Sequence, residues 1–329
     1  MSALISVKNL SRHYGDFCAV DDISFELTSG DILGFLGPNG AGKSSTMQML
    51  TGNLAPTFGE IFIDSVDLLE QPKAAKSSLG YLPENPPLYK DMTVEEYLRF
   101  CAHLHGIDKP AISSAYDTAV ERCSLGDVQK RLIRNLSKGY QQRVGIAQAI
   151  LHSPPVIILD EPTVGLDPIQ ILEIRQLIRT LGENHGIILC THILPEVQAV
   201  CNRVQIINHG KLVFSANMGG NMDEFLKQQT SGFDIILSNA ISLETLTSHE
   251  AFKDIEIIDE NHFTATSDLA AEELSRYIVK QGWGLISFTR VQTTLEQIFI
   301  DLTLADNNMT DDQLTDNSST FQTENTNAA

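Results

Sequence analysis

An α/β fold followed by a smaller α+β unit is what this 329-residue chain predicts, on three observations. The apolar run Ile32-Leu-Gly-Phe-Leu36 leads into the glycine-rich stretch Gly37-Pro-Asn-Gly-Ala-Gly-Lys-Ser44 and then into the helix-like Ser45-Thr-Met-Gln-Met-Leu50. Pro155-Val-Ile-Ile-Leu-Asp160-Glu161 is an unbroken apolar run closed by two acids, which is how a parallel strand buried on both faces reads. From Phe233 the pattern changes to short alternating pieces in the order β-α-β-β-α-β, the order of a ferredoxin-like unit.

In chain order, Leu4–Leu10 and Ile23–Leu27 alternate as half-buried strands do. Tyr14 lies between them, just ahead of the glycine-rich turn, where a flat ring is a stacking platform for adenine. In the turn, Gly37, Pro38, Asn39, Gly40, Ala41 and Gly42 bring backbone N–H groups into one concavity, and the helix behind adds its positive end. That arrangement suits a phosphate chain. Lys43 is then expected to reach the β- and γ-phosphates, Ser44 to ligate the accompanying Mg²⁺, and Ser45 to add a first-turn hydroxyl.

Further along, Ile61–Asp64 and Leu79–Leu82 read as strands. Thr93-Val-Glu-Glu96 is a capping box opening a helix-rich insertion over about 91–151. At the tip of the acid-ended strand, Asp160 is the expected Mg²⁺ partner, and Glu161 is placed to orient and deprotonate a water. Asp167-Pro168 is helix-start chemistry for the apolar face Ile171, Ile174, Ile178 and Leu181. Gly186–Cys190 is another buried strand, ending at His192, which then faces the γ-phosphate. Val204–Ile207 and Leu212–Phe214 form a closing hairpin.

Composition narrows the possibilities. No stretch offers the roughly 18–20 uninterrupted apolar residues of a membrane span, and Met1–Lys8 has no signal-peptide layout, so a cytoplasmic chain is expected. The five cysteines, Cys18, Cys101, Cys123, Cys190 and Cys201, never stand in Cys-x-x-Cys spacing, which argues against a disulfide framework or a zinc site. Net charge is −19, and residues 221–304 carry 5 basic against 14 acidic side chains. Such a surface repels nucleic acid and anionic lipid.

These elements, in this order, resemble the ATP-binding subunit of ABC transporters over residues 1–220. Walker A matches Gly37–Ser44, Walker B Val156–Asp160, the catalytic glutamate Glu161, the adenine-stacking aromatic Tyr14, the D-loop Gly165-Leu-Asp167 and the switch histidine His192. Leu136-Ser-Lys-Gly-Tyr-Gln-Gln-Arg143 looks like the signature, usually Leu-Ser-Gly-Gly-Gln, with Ser137 and Gly139 kept and Lys138 and Tyr140 replacing Gly and Gln. Glu84 stands where the family has the Q-loop glutamine, and there it implies a further oxygen for Mg²⁺ or water. Together with Pro83–Tyr89, these variants look like the type 2 exporter branch of gliding-motility, drug-resistance and nitrous-oxide-reductase maturation ATPases.

The resemblance implies ATP and Mg²⁺ as cofactors, Asp167 of the D-loop among the nucleotide-binding residues, and a head-to-tail homodimer in which Ser137 and Gly139 of one subunit complete the partner's site. It also implies a separate multi-span membrane permease that would hold the chain at the inner face of the cytoplasmic membrane. Two other classes share the site: a soluble ABC ATPase working on ribosomes or DNA, and a non-hydrolysing regulatory nucleotide binder. In the last third, Thr294–Phe299 is similar to the closing motif of the accessory domain of type 2 exporter ATPases. The expected organisation is therefore an ATP-binding domain over 1–220, an accessory α+β domain over 221–304 and a disordered acidic tail over 305–329.

Overall fold

Alternating burial along the first strands and complete burial of the later ones set up two different sheets. In the computed structural model, which describes residues 3–218, 232–247, 249, 251–291 and 295–304, the chain divides into the units Met1–Gly219 and Gly220–Ala329. The first unit opens with β1 (Ile5–Tyr14) and β2 (Phe17–Leu27), antiparallel to each other. β4 (Phe58–Ile63) and β5 (Val66–Asp67) extend this sheet in the order β2-β1-β4-β5.

A second sheet has the order β10-β9-β3-β8-β7-β6, from β3 (Ile32–Leu36), β6 (Leu79–Leu82), β7 (Val156–Asp160), β8 (Gly186–Thr191), β9 (Arg203–Asn208) and β10 (Lys211–Asn217). All its pairs are parallel except β9 with β10. Every residue of β3, β7 and β8 is buried, because layers cover both faces. One layer is the first sheet, whose Val7, Ile23 and Phe25 join Leu33, Phe35 and Ile188 in one apolar cluster.

Parallel register decides where the chemistry goes. Leu36 pairs with Thr191, Asp160 with Cys190 and Leu82 with Leu159, so β3, β6, β7 and β8 end at one edge. Gly37, Glu84, Glu161 and His192 each follow one of those ends, at the carboxyl edge where parallel sheets carry ligands. Helix α1 (Lys43–Leu50) starts two residues before the expected Ser45, directly after Gly42 at φ 107°. The other helices of this unit are α2 (Pro72–Ser77), α3 (Val94–Leu104), α4 (Lys109–Arg122), α5 (Lys138–Ile150), α6 (Pro168–Gly182) and α7 (Leu194–Val200). The expected hairpin is longer than its apolar residues marked, because polar residues at its ends also pair.

The second unit contains β11 (Gly232–Leu237), α8 (Leu243–Thr247), β12 (Lys253–Asp259), β13 (His262–Thr266), α9 (Ala271–Lys280), β14 (Leu285–Val291) and α10 (Leu295–Leu304). Its sheet order β12-β13-β11-β14, antiparallel throughout, is the split β-α-β arrangement. Phe233, Ile235 and Leu237 point to one face and pack with Leu246, Phe263, Leu274 and Ile278. The tail over 305–329 lies outside the described residues, as do residues 219–231.

The insertion begins as its capping box requires. Thr93 Oγ1 accepts from Glu96 N at 3.2 Å, and Glu96 Oε2 accepts from Thr93 N at 2.8 Å. Both orphan donors at the start of α3 are thus satisfied. Thr93→Ala removes the hydroxyl partner and is expected to lower the thermal midpoint of the ATP-binding unit by about 2–4 °C, followed by circular dichroism.

Candidate active site

The turn after β3 is shaped by what lies beneath it. A Cβ on Gly37 would stand 2.4 Å from the Ile207 carbonyl oxygen, and one on Gly42 2.5 Å from that of Ala19. Only glycine lets the turn settle this deeply. The Gly210 N–H also donates to the Ala41 carbonyl at 3.0 Å. With φ of 82° and 107°, Gly40 and Gly42 turn the chain so that Lys43 begins α1.

The Lys43 side chain folds back over this turn. Its Nζ donates to the carbonyls of Gly37 at 2.8 Å and Pro38 at 3.0 Å, and the residue is buried. Around it opens a cleft of about 450 Å³, lined by Tyr14, Phe17, Ala19, Asn39, Gly40, Gly42, Lys43, Ser44, Ser45, Glu84, Glu161, Val164 and His192. Tyr14 is 44% exposed at its rim, with the Arg12 guanidinium stacked on the ring at 4.5 Å. Arg12 Nη1 in turn donates to the Ala55 carbonyl at 3.1 Å. One ring face is thereby occupied and the ring held.

Acids meet this turn from β7. Asp160 is buried, and desolvation raises its carboxyl above the usual range; Glu161 and Glu84 push it the same way, against a thiol hydrogen bond from Cys190 and the charge of Lys43. A cation would relieve that repulsion. Among the described residues no three His, Cys, Asp or Glu side chains form a metal cluster by themselves. The hard oxygen donors present here, the Asp160 and Glu84 carboxylates and the Ser44 hydroxyl, suit a Mg²⁺ ion, which takes one or two carboxylates and completes its shell with phosphate oxygens.

Glu161 sits in the left-handed region at φ 49°, with its N–H donating to the Cys190 carbonyl at 2.9 Å. That strained backbone turns the carboxylate toward β8. Oε1 lies 2.8 Å from His192 Nδ1, and Oε2 lies 3.4 Å from Thr191 Oγ1. The base candidate and the switch candidate are therefore a contacting pair.

Several expected site residues stand apart from the cleft lining. Gly37, Pro38 and Ala41 belong to the same turn without lining the cleft, and Asp160 is buried next to Glu161. Ser137 is exposed and caps α5, its Oγ accepting from Tyr140 N at 3.4 Å. Gly139 lines a different cleft, with Arg122, Arg143, Gln170 and Glu173. Asp167 caps α6, its Oδ1 accepting from Ile169 N at 3.1 Å and Gln170 N at 2.9 Å. A Cβ on Gly165 would meet Lys138 Nζ at 2.3 Å, and one on Gly139 would meet Gln170 Oε1 at 2.5 Å. The signature turn thus packs on its own chain's Gly165–Gln170 segment.

Sequence reading passed over Thr163 and Glu196. Glu196 is 1% exposed on α7, beside the buried Leu194, Val197 and Val200. An acid among apolar residues on the buried side of a short helix was the available signal.

Comparison with known proteins agrees with this geometry. The profile of the family described as ABC transporter matches residues 20–164. The chain is 34% identical to the bacitracin transport ATP-binding protein of Bacillus licheniformis over 306 residues, which are 92% of this chain and 98% of that one. It is 29% identical to the linearmycin resistance ATP-binding protein of Bacillus subtilis over 312 residues, 91% of this chain and 98% of the relative. A solved ATP-binding subunit of an ABC transporter superposes with a TM-score of 0.61 at 30% identity, covering 69% of this chain and 92% of that chain. With a glycine turn, strand-end acids and relatives matched along almost their whole length, the chain belongs to the ABC transporter family, as an ATP-binding and ATP-hydrolysing subunit.

Proposed function

We propose that this ATPase energises a separate membrane permease, for export, through ATP-driven head-to-tail dimerisation. The observation that carries the reading is the separation of Ser137 and Gly139 from the cleft that holds Lys43, Glu161 and His192. Ser137 caps a helix N-terminus, which suits a phosphate, yet it contributes nothing to its own chain's cleft. A second copy facing the first supplies what each cleft lacks. Among the described residues no helix is long and apolar enough to cross a membrane, so a transport path belongs to another chain. Export is favoured by the relatives named for bacitracin transport and linearmycin resistance.

In this reading adenine stacks on the free face of Tyr14, and the phosphates lie on the backbone N–H groups of Gly37–Ser44. Lys43 exchanges its two carbonyl partners for phosphate oxygens. Ser44, Asp160 and Glu84 would hold Mg²⁺, which supplies neutralisation of the phosphate charge. Glu161 takes a proton from water while the water oxygen bonds to the γ-phosphorus and the bond to ADP breaks; His192 orients Glu161 and contacts the γ-phosphate. Loss of the γ-phosphate removes the bridge between subunits and reopens the dimer.

Three outcomes test the reading. Glu161→Gln should bind ATP within a few-fold of the native chain, lose roughly 10²–10⁴-fold in turnover and accumulate as an ATP-bound dimer on size-exclusion chromatography. Unchanged turnover would remove Glu161 as the base. Gly42→Ala forces a methyl group toward the Ala19 carbonyl, and isothermal titration should read at least about a tenfold weaker ATP affinity. Tagged chain recovered from detergent-solubilised membranes of its host should carry a polytopic membrane protein at near-equal stoichiometry. Recovery of ribosomes, nucleic acid or the chain alone would contradict the permease.

A further inference from the structure

Behind the candidate base lies a carboxylate that the reaction as described does not use. Glu196 is 1% exposed, and an acid so buried is kept charged only by what it bonds. Its Oε1 accepts from Thr163 Oγ1, on the segment leaving β7, and its Oε2 accepts from Thr191 Oγ1 at 2.8 Å, at the end of β8. No salt bridge reaches it among the described residues. Desolvation pushes its carboxyl above the usual range and the charge of Glu161 adds to this, while the threonine hydrogen bond, Arg175 and His192 pull it back.

Thr191 is the hinge of the argument. A hydroxyl has one proton to give, and two carboxylates approach it: Glu196 Oε2 at 2.8 Å and Glu161 Oε2 at 3.4 Å. The Ile193 N–H donates to the same oxygen at 3.1 Å, so a lone pair is already engaged. Distance assigns the proton to Glu196. Glu161 is then held through Oε1 by His192, while among the described residues the donor facing Oε2 is the Thr191 hydroxyl, at 3.4 Å.

We propose that Glu196 is a positioning residue for hydrolysis: by claiming the Thr191 proton it leaves Glu161 Oε2 free to accept the proton of the attacking water. Without Glu196, the Thr191 hydroxyl turns to Glu161 and occupies the oxygen that the water needs. Glu196 also ties the Thr163 segment to Thr191, which keeps the tips of β7 and β8 in register around Glu161. The inference rests on the reading of Glu161 as the base.

The test uses the full chain and steady-state ATP hydrolysis, with ATP affinity and the thermal midpoint measured in parallel. Glu196→Met keeps the shape of the side chain and removes both acceptors. It should lower kcat about 10- to 100-fold, with KM for ATP within about twofold, because the defect lies in the chemical step. Adding Thr191→Val removes the misdirected hydroxyl, and the double variant should return to within about threefold of Thr191→Val alone. Thr191→Val also relieves the cost of leaving that buried hydroxyl without an acceptor, so the thermal midpoint is read beside kcat: recovery of kcat is expected even where the midpoint of Glu196→Met is already native-like. A double variant as slow as Glu196→Met, or a KM that rises along with the fall in kcat, overturns the proposal.

Glu196→Gln, the gentler change, should lose about three- to tenfold in kcat and recover in the same way with Thr191→Val. A Glu196→Gln chain as fast as the native one also overturns the proposal. The Glu161→Gln chain separates the two readings: normal turnover there defeats the base assignment itself, whereas loss there without rescue at Thr191 defeats only the role of Glu196.

Discussion

Three backbone segments close in under the turn at Gly37–Ser44, with the Ile207 side chain packed beside them, and the site depends on that meeting. The Ala19 carbonyl of β2, the Ile207 carbonyl of β9 and the Gly210 amide of the β9–β10 turn all press on it. The Asp21 N–H donates to the Gly210 carbonyl at 2.9 Å, so the antiparallel and parallel sheets are joined at this point. The turn is thus clamped between two sheets rather than hung from one strand. A rigid cradle lets backbone N–H groups act on a phosphate chain without reorganising, which makes weak individual dipoles effective together.

The clamped turn explains the balance of charge at the strand ends. Asp160, Glu161, Glu84 and Glu196 crowd one edge of the sheet, and the nearby lysine, Lys43, spends its hydrogen bonds on loop carbonyls. Burial, with repulsion from the neighbouring acids, disfavours the ionised form of Asp160 and Glu196. A nucleotide accompanied by a divalent cation changes the balance by bringing positive charge against Asp160 and negative charge against Lys43. The same groups that repel one another alone are complementary to that pair.

Much of this was legible in the sequence where the signal is local. The glycine turn, the capping box at Thr93, the Asp167 cap and the all-apolar strand before Asp160 are each written within a few consecutive residues. The β-α-β-β-α-β order after Phe233 was also legible. The ferredoxin-like reading of that order already implies the pairing β12-β13-β11-β14; the residue-by-residue register within it was not legible, because it depends on faces that meet only after folding. Glu196 escaped for the same reason. Its partners Thr163 and Thr191 stand on different strand ends, and no spacing along the chain announces a proton shared among three side chains.

The signature turn follows from the same distinction between local and tertiary signals. Ser137 caps its helix wherever that helix lies, so the motif alone does not say which phosphate it faces. In the structure, Lys138 and Gly139, respectively a departure from the usual signature and a retained glycine, lie against Gly165 and Gln170. That segment begins four residues after Glu161. A short stretch of backbone therefore joins Glu161 to the surface on which the signature turn rests. In the head-to-tail dimer proposed above, that turn holds the opposite nucleotide. The packing of Lys138 on Gly165 then links one cleft to the other within a single chain, and the lysine's long side chain makes this contact where the usual glycine has none to offer.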